Sequence, residues 1–221
     1  MSGRPAAPPR DCALCPRLAG FRAENRARFP DWHNAPVASF GPLDAPLLIV
    51  GLAPGLRGAN RTGRPFTGDW AGELLYATLL RFGLAEGVYG ARPEDGLRLT
   101  GARICNAVRC VPPGNRPTPA EIAACNPFLA AEIAAMPRLR AVLALGAIAH
   151  GAVLRALGRR PSSARFAHGA LHALDGLTLA DSYHCSRYNT NTGRLTEAMF
   201  RAVFARLLPR LDPARHTGAP G

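Results

Sequence analysis

The sequence predicts an α/β protein built on a mostly parallel sheet with helices on both faces. Three observations lead there. Short, largely apolar runs recur at 47–50, 103–108, 139–145 and 177–183, each about the length of a buried strand. The runs alternate with loops and with stretches whose apolar residues fall at helical spacing, the strand–loop–helix unit that makes parallel neighbours. The polar residues of chemical interest gather at the ends of three of the runs, in the segment Gly51–Asp69, at Asn106 and at His184. A parallel sheet delivers all three to one edge, where open α/β sheets bind their ligands.

Residues 1–10 are rich in Pro, Ala and Arg and are expected to form a disordered basic tail. Cys12-Ala-Leu-Cys15 then leads into a helical stretch that ends before Pro30. The strand at 47–50 runs into the glycine-rich segment Gly51–Asp69, and the spacing predicts an amphipathic helix over 70–82. A charged, Gly-rich connection leads through Leu97–Thr100 to the strand at 103–108 and a proline-rich loop. Thr118, Pro119 and Glu121 provide an N-cap, a first-turn proline and a capping box for a helix running through Cys125 towards Met136. The third strand, 139–145, is closed by Gly146 and followed by a helix to Leu157. Arg159, Arg160 and Arg165 beyond it are candidates for phosphate contacts or a solvated face. Asp175-Gly176 between two short runs signals a hairpin. The strand at 177–183 delivers His184, a last helix covers 195–211, and 212–221 is expected to be a flexible tail. A single domain over 11–211 follows, with no internal repeats.

The net charge of +12 points to a polyanionic partner, and all 27 basic residues are Arg, whose planar fork suits phosphates and stacked bases. No apolar run approaches the ~18 residues of a transmembrane helix. The N-terminus carries no signal-peptide pattern, so a cytoplasmic protein without membrane partners is expected. Nothing signals oligomerisation, so a monomer is expected. In a reducing compartment the six cysteines suit a metal or cluster better than disulfides. CxxC by itself leaves redox, zinc and iron–sulfur roles open.

Gly51–Asp69 fits neither common phosphate loop: the chain has no Lys for a P-loop and no GxGxxG directly after the strand. What remains is a flexible loop carrying arginines, Phe66 and a terminal carboxylate, suited to a pocket that closes over a flat ring. The plainer role of Asp69 is to cap the helix that begins at Trp70.

GLAPG followed by NRTGRPFTGD, then NAVRCVPPGNRPTP with a cysteine in the next helix, then SYHxSxxNxNTGRLT, together resemble the family 5 uracil-DNA glycosylases, relatives of the iron–sulfur family 4 enzymes. The resemblance runs from Cys12 to the last helix. It implies a four-stranded, mostly parallel sheet in a three-layer αβα sandwich, and a [4Fe-4S] cluster on Cys12, Cys15, Cys110 and Cys125. Zinc is the alternative for four thiolates. The implied partner is DNA carrying uracil or other deaminated bases. Such enzymes extrude the nucleotide and read it in a pocket.

By resemblance Phe66 stacks on the flipped base, Asn106 bonds its Watson–Crick edge, and His184 donates to the carbonyl oxygen that gains charge as the base leaves. Gly51, Ala53 and Gly55 join them around the base. Other glycosylase families carry an acidic or amide side chain early in the first loop, where this chain has Leu52 and Ala53; Asp69 is the implied substitute, completing a catalytic set with Asn106 and His184. Arg61, Arg64, Ser186, Arg187, Tyr188 and Asn191 are expected to face DNA, with Tyr188 or Arg187 as the wedge. Where HPSPxN is usual, this chain reads His184-Cys-Ser-Arg-Tyr-Asn189, so the loop without its two prolines is expected to be more mobile. With no Lys to form a Schiff base, the expected activity is a monofunctional glycosylase. The alternatives are a non-catalytic iron–sulfur or zinc DNA-binding module, or a glycosylase that becomes covalently trapped on its substrate.

Overall fold

The structure, a computed structural model, describes residues 5–211. The expectations for 1–4 and 212–221 lie outside the described residues. Within the basic tail, Pro9 and Arg10 are tied down: Cys12 N–H donates to Pro9 O at 3.0 Å and Arg26 to Arg10 O at 3.3 Å.

In chain order the elements are α1 (Pro16–Arg28), β1 (Leu47–Gly51), α2 (Ala59–Thr62), α3 (Trp70–Arg81), β2 (Ala85–Glu86), β3 (Arg98–Leu99) and β4 (Ala102–Asn106). Then come α4 (Pro119–Ala134), β5 (Ala141–Leu145), α5 (Ala147–Ala156), β6 (Leu171–Leu174), β7 (Leu177–Ser182), α6 (Arg187–Asn191) and α7 (Glu197–Leu211). The central sheet runs β4-β1-β5-β7-β6, with β2 and β3 forming a separate two-stranded piece. Four of the central strands are parallel, as expected; the sheet has five because β6 pairs antiparallel with β7. Asp175 and Gly176 turn that hairpin with φ of 46° and 85°, the left-handed pair its two-residue loop requires.

Alternation along the strands makes the three layers. Leu47, Ile49, Leu143 and Ala180 pack with α3 and α7 on one face, and Leu48, Val50, Val142 and Leu179 with α4 and α5 on the other. The parallel core therefore carries apolar side chains on both faces. Cys105 is such a residue, fully buried in β4, and burial pushes its thiol up to about 12. The outer edge of β4 is closed by Phe40, which exchanges two backbone hydrogen bonds with Ile104 at 2.8 and 2.9 Å.

Two polar arrangements tie elements together. Thr118 and Glu121 form the expected capping box, and Glu121 also pairs with Arg17 at 2.7 Å, joining α4 to α1. Asp181, with no exposed surface, accepts from His150 at 2.7 Å, His172 at 3.1 Å and Ala167 N–H at 3.2 Å. That network ties α5, β6 and the 164–167 loop to β7 just before His184. Arg159 pairs with Asp175 at the opposite end of β7, away from the carboxyl edge, which corrects its candidacy as a phosphate contact.

Candidate active site

The carboxyl edge of the sheet brings together what the sequence separates. Gly51 is the last residue of β1 and pairs in register with Asn106, the last of β4. A Cβ on Gly51 would lie 2.6 Å from Phe66 Cζ and closer still to Asn106 Oδ1. Glycine is required there because the amide and the ring both occupy the space a side chain would take. Gly51→Ala is therefore expected to push Phe66 and Asn106 apart, costing ~1–3 kcal/mol as overpacking. A lowered Tm would register the overpacking.

The loop from β1 to α3 is pinned rather than flexible. Arg64, 6 % exposed, makes a 2.6 Å ion pair with Asp95 and bonds Thr67 Oγ1 at 2.8 Å, its guanidinium set among Phe40, Tyr76 and Tyr89. This corrects the expectation that Arg64 faces DNA: a bonded, buried guanidinium anchors the loop instead. The same pair holds the Asp95 carboxyl well below the usual carboxylate range. Phe66 has φ of 52°, a left-handed conformation unusual for a bulky residue. The hydroxyls of Tyr76 and Tyr89 donate to Pro65 O at 2.6 Å and Phe66 O at 3.2 Å and fix it there. In that conformation the ring lies against Gly51 and opposite His184, with ring centroids 5.8 Å apart.

Asp69 occupies the N-cap position of α3, yet its side chain makes no capping hydrogen bond. Its Oδ1 is buried without a partner among the described residues. The other oxygen lies against Gly55 and Gly58, where an added Cβ would come within 2.9 Å of Oδ2 and 2.7 Å of Cγ respectively. Burial raises its carboxyl above the ordinary value, and the nearby amides of Gly72 and Ala71 offset part of the shift. Burial also pushes the imidazole of His184 down to about 4, so at neutral pH it is an uncharged donor. Asp69, His184, Asn106, Phe66, Ala53 and Gly55 line one recess, which adjoins a cleft of about 540 Å³.

Ser186, Arg187 and Tyr188 line that cleft, as do Asp69 and His184. Arg61 is exposed at the end of α2 and Asn191 at the end of α6, neither on the cleft wall. Sequence reasoning missed Trp70, Gly146–Ile148, Asn115 and Arg194, which also line it. Trp70 had a signal, an aromatic residue next to the candidate carboxylate; Asn115 and Arg194 lie within the quoted motifs but were given no role, and Gly146–Ile148 follow a strand end with no motif of their own. The loop after His184, expected to be mobile, contains the short helix α6, and Asn189 Nδ2 donates back to His184 O at 2.8 Å.

Cys12, Cys15, Cys110 and Cys125 line one cavity between α1, the loop after β4 and α4. Cys110 accepts from Arg22 Nη1 at 3.6 Å, and Cys125 from Arg109 N–H at 3.3 Å. Burial raises the thiols of Cys15, Cys110 and Cys125, Cys110 to about 11. All six cysteines are free thiols.

Against this geometry, the profile of the Uracil DNA glycosylase superfamily matches residues 38–208. The type-5 uracil-DNA glycosylase of Thermus thermophilus is 47% identical over 199 residues, covering 87% of this chain and 90% of the relative. That of Pyrobaculum aerophilum is 41% identical over 89% of this chain and 87% of its own length. The type-4 uracil-DNA glycosylase of Thermotoga maritima is 43% identical over about half of each chain, 51%. The chain belongs to the uracil-DNA glycosylase superfamily.

Proposed function

We propose that this protein excises uracil, and other deaminated bases, from DNA by hydrolysing the N-glycosidic bond and leaving an abasic site. The observation that carries the proposal is the unpartnered, buried Oδ1 of Asp69 in one recess with Phe66, Asn106 and a neutral His184. Phe66 offers a face for the extruded ring, and Asn106 a donor and an acceptor for its edge. As the C1′–N bond breaks, the electron pair passes to the base and charge collects on its carbonyl oxygen. His184 donates a hydrogen bond there, holding the leaving group more tightly in the transition state than in the ground state. The carboxylate of Asp69 stabilises the positive sugar and orients the water that adds to C1′, accepting its proton. With no Lys, the abasic product leaves without a covalent Schiff base.

Arg187, Arg194 and Tyr188 line the cleft wall, and on this reading they meet the DNA backbone and the vacated stack. The acting unit on this reading is a cytoplasmic monomer. Among the described residues no helix is long and apolar enough to cross a membrane.

The four converging cysteines suit a [4Fe-4S] cluster. Their free thiols face one cavity, and N–H groups of Arg22 and Arg109 point at two sulfurs, offsetting thiolate charge. Cys12, Cys15, Cys110 and Cys125 would hold it, tying the N-terminal segment to β4 and α4. When bound it supplies a cross-link between these segments. Purified protein is expected to be brown, with absorbance near ~400 nm that Cys110→Ala abolishes together with much of the thermal stability. Zinc in place of iron in the colourless protein would contradict the assignment.

The function is tested by single-turnover reaction with duplex and single-stranded oligonucleotides carrying uracil, hypoxanthine or xanthine. Free base and strands that break only after alkali are expected. Tight binding to uracil-containing DNA without base release would instead indicate a recognition module.

A further inference from the structure

Three contacts converge on the first turn of α3, the turn that follows Asp69. Trp70 Nε1 donates to Thr190 Oγ1 at 3.0 Å, across to α6. The Arg187 guanidinium, also on α6, lies 5.6 Å from the centroid of the Trp70 ring. The Cys185 thiol, fully buried, donates to Ala71 O at 3.4 Å. Between Tyr183 and Leu195 the chain has no proline to fix its path, so its position rests on contacts, among which these and the Asn189–His184 bond tie it outward to α3 and back to His184. Trp70 is 49 % exposed. An indole so exposed contributes little to the core, yet it is fixed by a hydrogen bond at its edge and a cation at its face.

We infer that Trp70 is a positioning residue: it fastens the segment that carries His184 to the helix that carries Asp69, so that donor and carboxylate stay in register across the recess. This rests on the proposed glycosylase reading and goes beyond it, because Trp70 needs no contact with the base. Thr190 is its partner. The Thr190 hydroxyl lies within reach of Ser186 O and Arg187 O at 3.3 and 3.2 Å, so it can donate within α6 while accepting from Trp70.

The test compares Thr190→Val, Thr190→Ser, Trp70→Phe and the Trp70→Phe/Thr190→Val double variant of the holoprotein. Thr190 lies on the surface side of a short helix, so its variants remain folded if a Trp70 variant does not. Amide hydrogen exchange over 184–192 is measured without DNA, and single-turnover rate and duplex affinity with it. Faster exchange and a rate lowered about 3–10-fold are expected in Thr190→Val and Trp70→Phe, consistent with the loss of one hydrogen bond. The double variant should be no slower than Trp70→Phe, Thr190→Ser should behave as wild type, and affinity should change little. Unchanged exchange overturns the inference, even if the wild type proves to release no base, since exchange does not depend on the reaction. Additive losses, or a loss confined to affinity, overturn it too, and would make Trp70 a DNA contact instead.

Discussion

Asp69→Asn is expected to lower the single-turnover rate on uracil-containing duplex by about 10²–10⁴-fold, the range for a positioned acid–base group, while leaving DNA binding close to wild type. The substitution is nearly isosteric, and the amide can still accept from the nearby Gly72 and Ala71 N–H groups through its remaining oxygen. The same variant is expected to be more stable. A carboxyl whose folded value is raised contributes most below its unfolded value, and that stability is lost as pH rises through the folded value. At neutral pH the buried charge is therefore a cost, which the amide removes. A higher Tm with a lost chemical step would mark Asp69 as a group kept for reactivity. A lower Tm, or a rate near wild type, would assign it to structure.

His184→Ala is expected to reduce the chemical step by about 10²–10³-fold, as for removal of one donor to a developing oxyanion. His184→Gln retains an N–H in part of the same space and should recover some of the rate. Because the imidazole is neutral above about 4, wild-type activity should show no loss attributable to His184 deprotonation between neutral and mildly alkaline pH. A rate that fell with pH through the ordinary histidine range would mean that the charged form is the donor.

The fold was legible where local chemistry and periodicity agree. The apolar runs became β1, β4, β5 and β7, the Thr118 capping box formed as spelled, and Asp175-Gly176 turned the hairpin. The strand at 171–174 was signalled by that hairpin, but the four-stranded sheet implied by the resemblance left it out, because a short, half-buried edge element joins the sheet only through its pairing with β7. The candidate site was legible as residue types at strand ends, and Asn106, Phe66, Asp69 and His184 do share one recess. The state of the connecting loops was not. Glycines in 51–69 suggested mobility, but they admit Asp69 and Phe66 at close quarters while Arg64 binds Asp95 from a distant segment. Absent prolines likewise suggested a loose segment after His184, whereas contacts to Trp70 and Ala71 hold it. Partners so far apart in sequence leave no local pattern. The side chain of Asp69 shows the same limit: its position reads as a helix cap, and only the packing reveals that its Oδ1 is buried without a partner.

The most direct measurement is the pH dependence of the single-turnover rate of uracil release, wild type beside Asp69→Asn. In the wild type a plateau at neutral pH is expected, falling as the solution becomes acidic enough to protonate Asp69, at a pH above the ordinary carboxylate value. In Asp69→Asn that limb should vanish, leaving a slow rate that stays flat until His184 titrates near 4. The same acid limb in both proteins would show that another group carries the reaction, and would contradict the role given to Asp69.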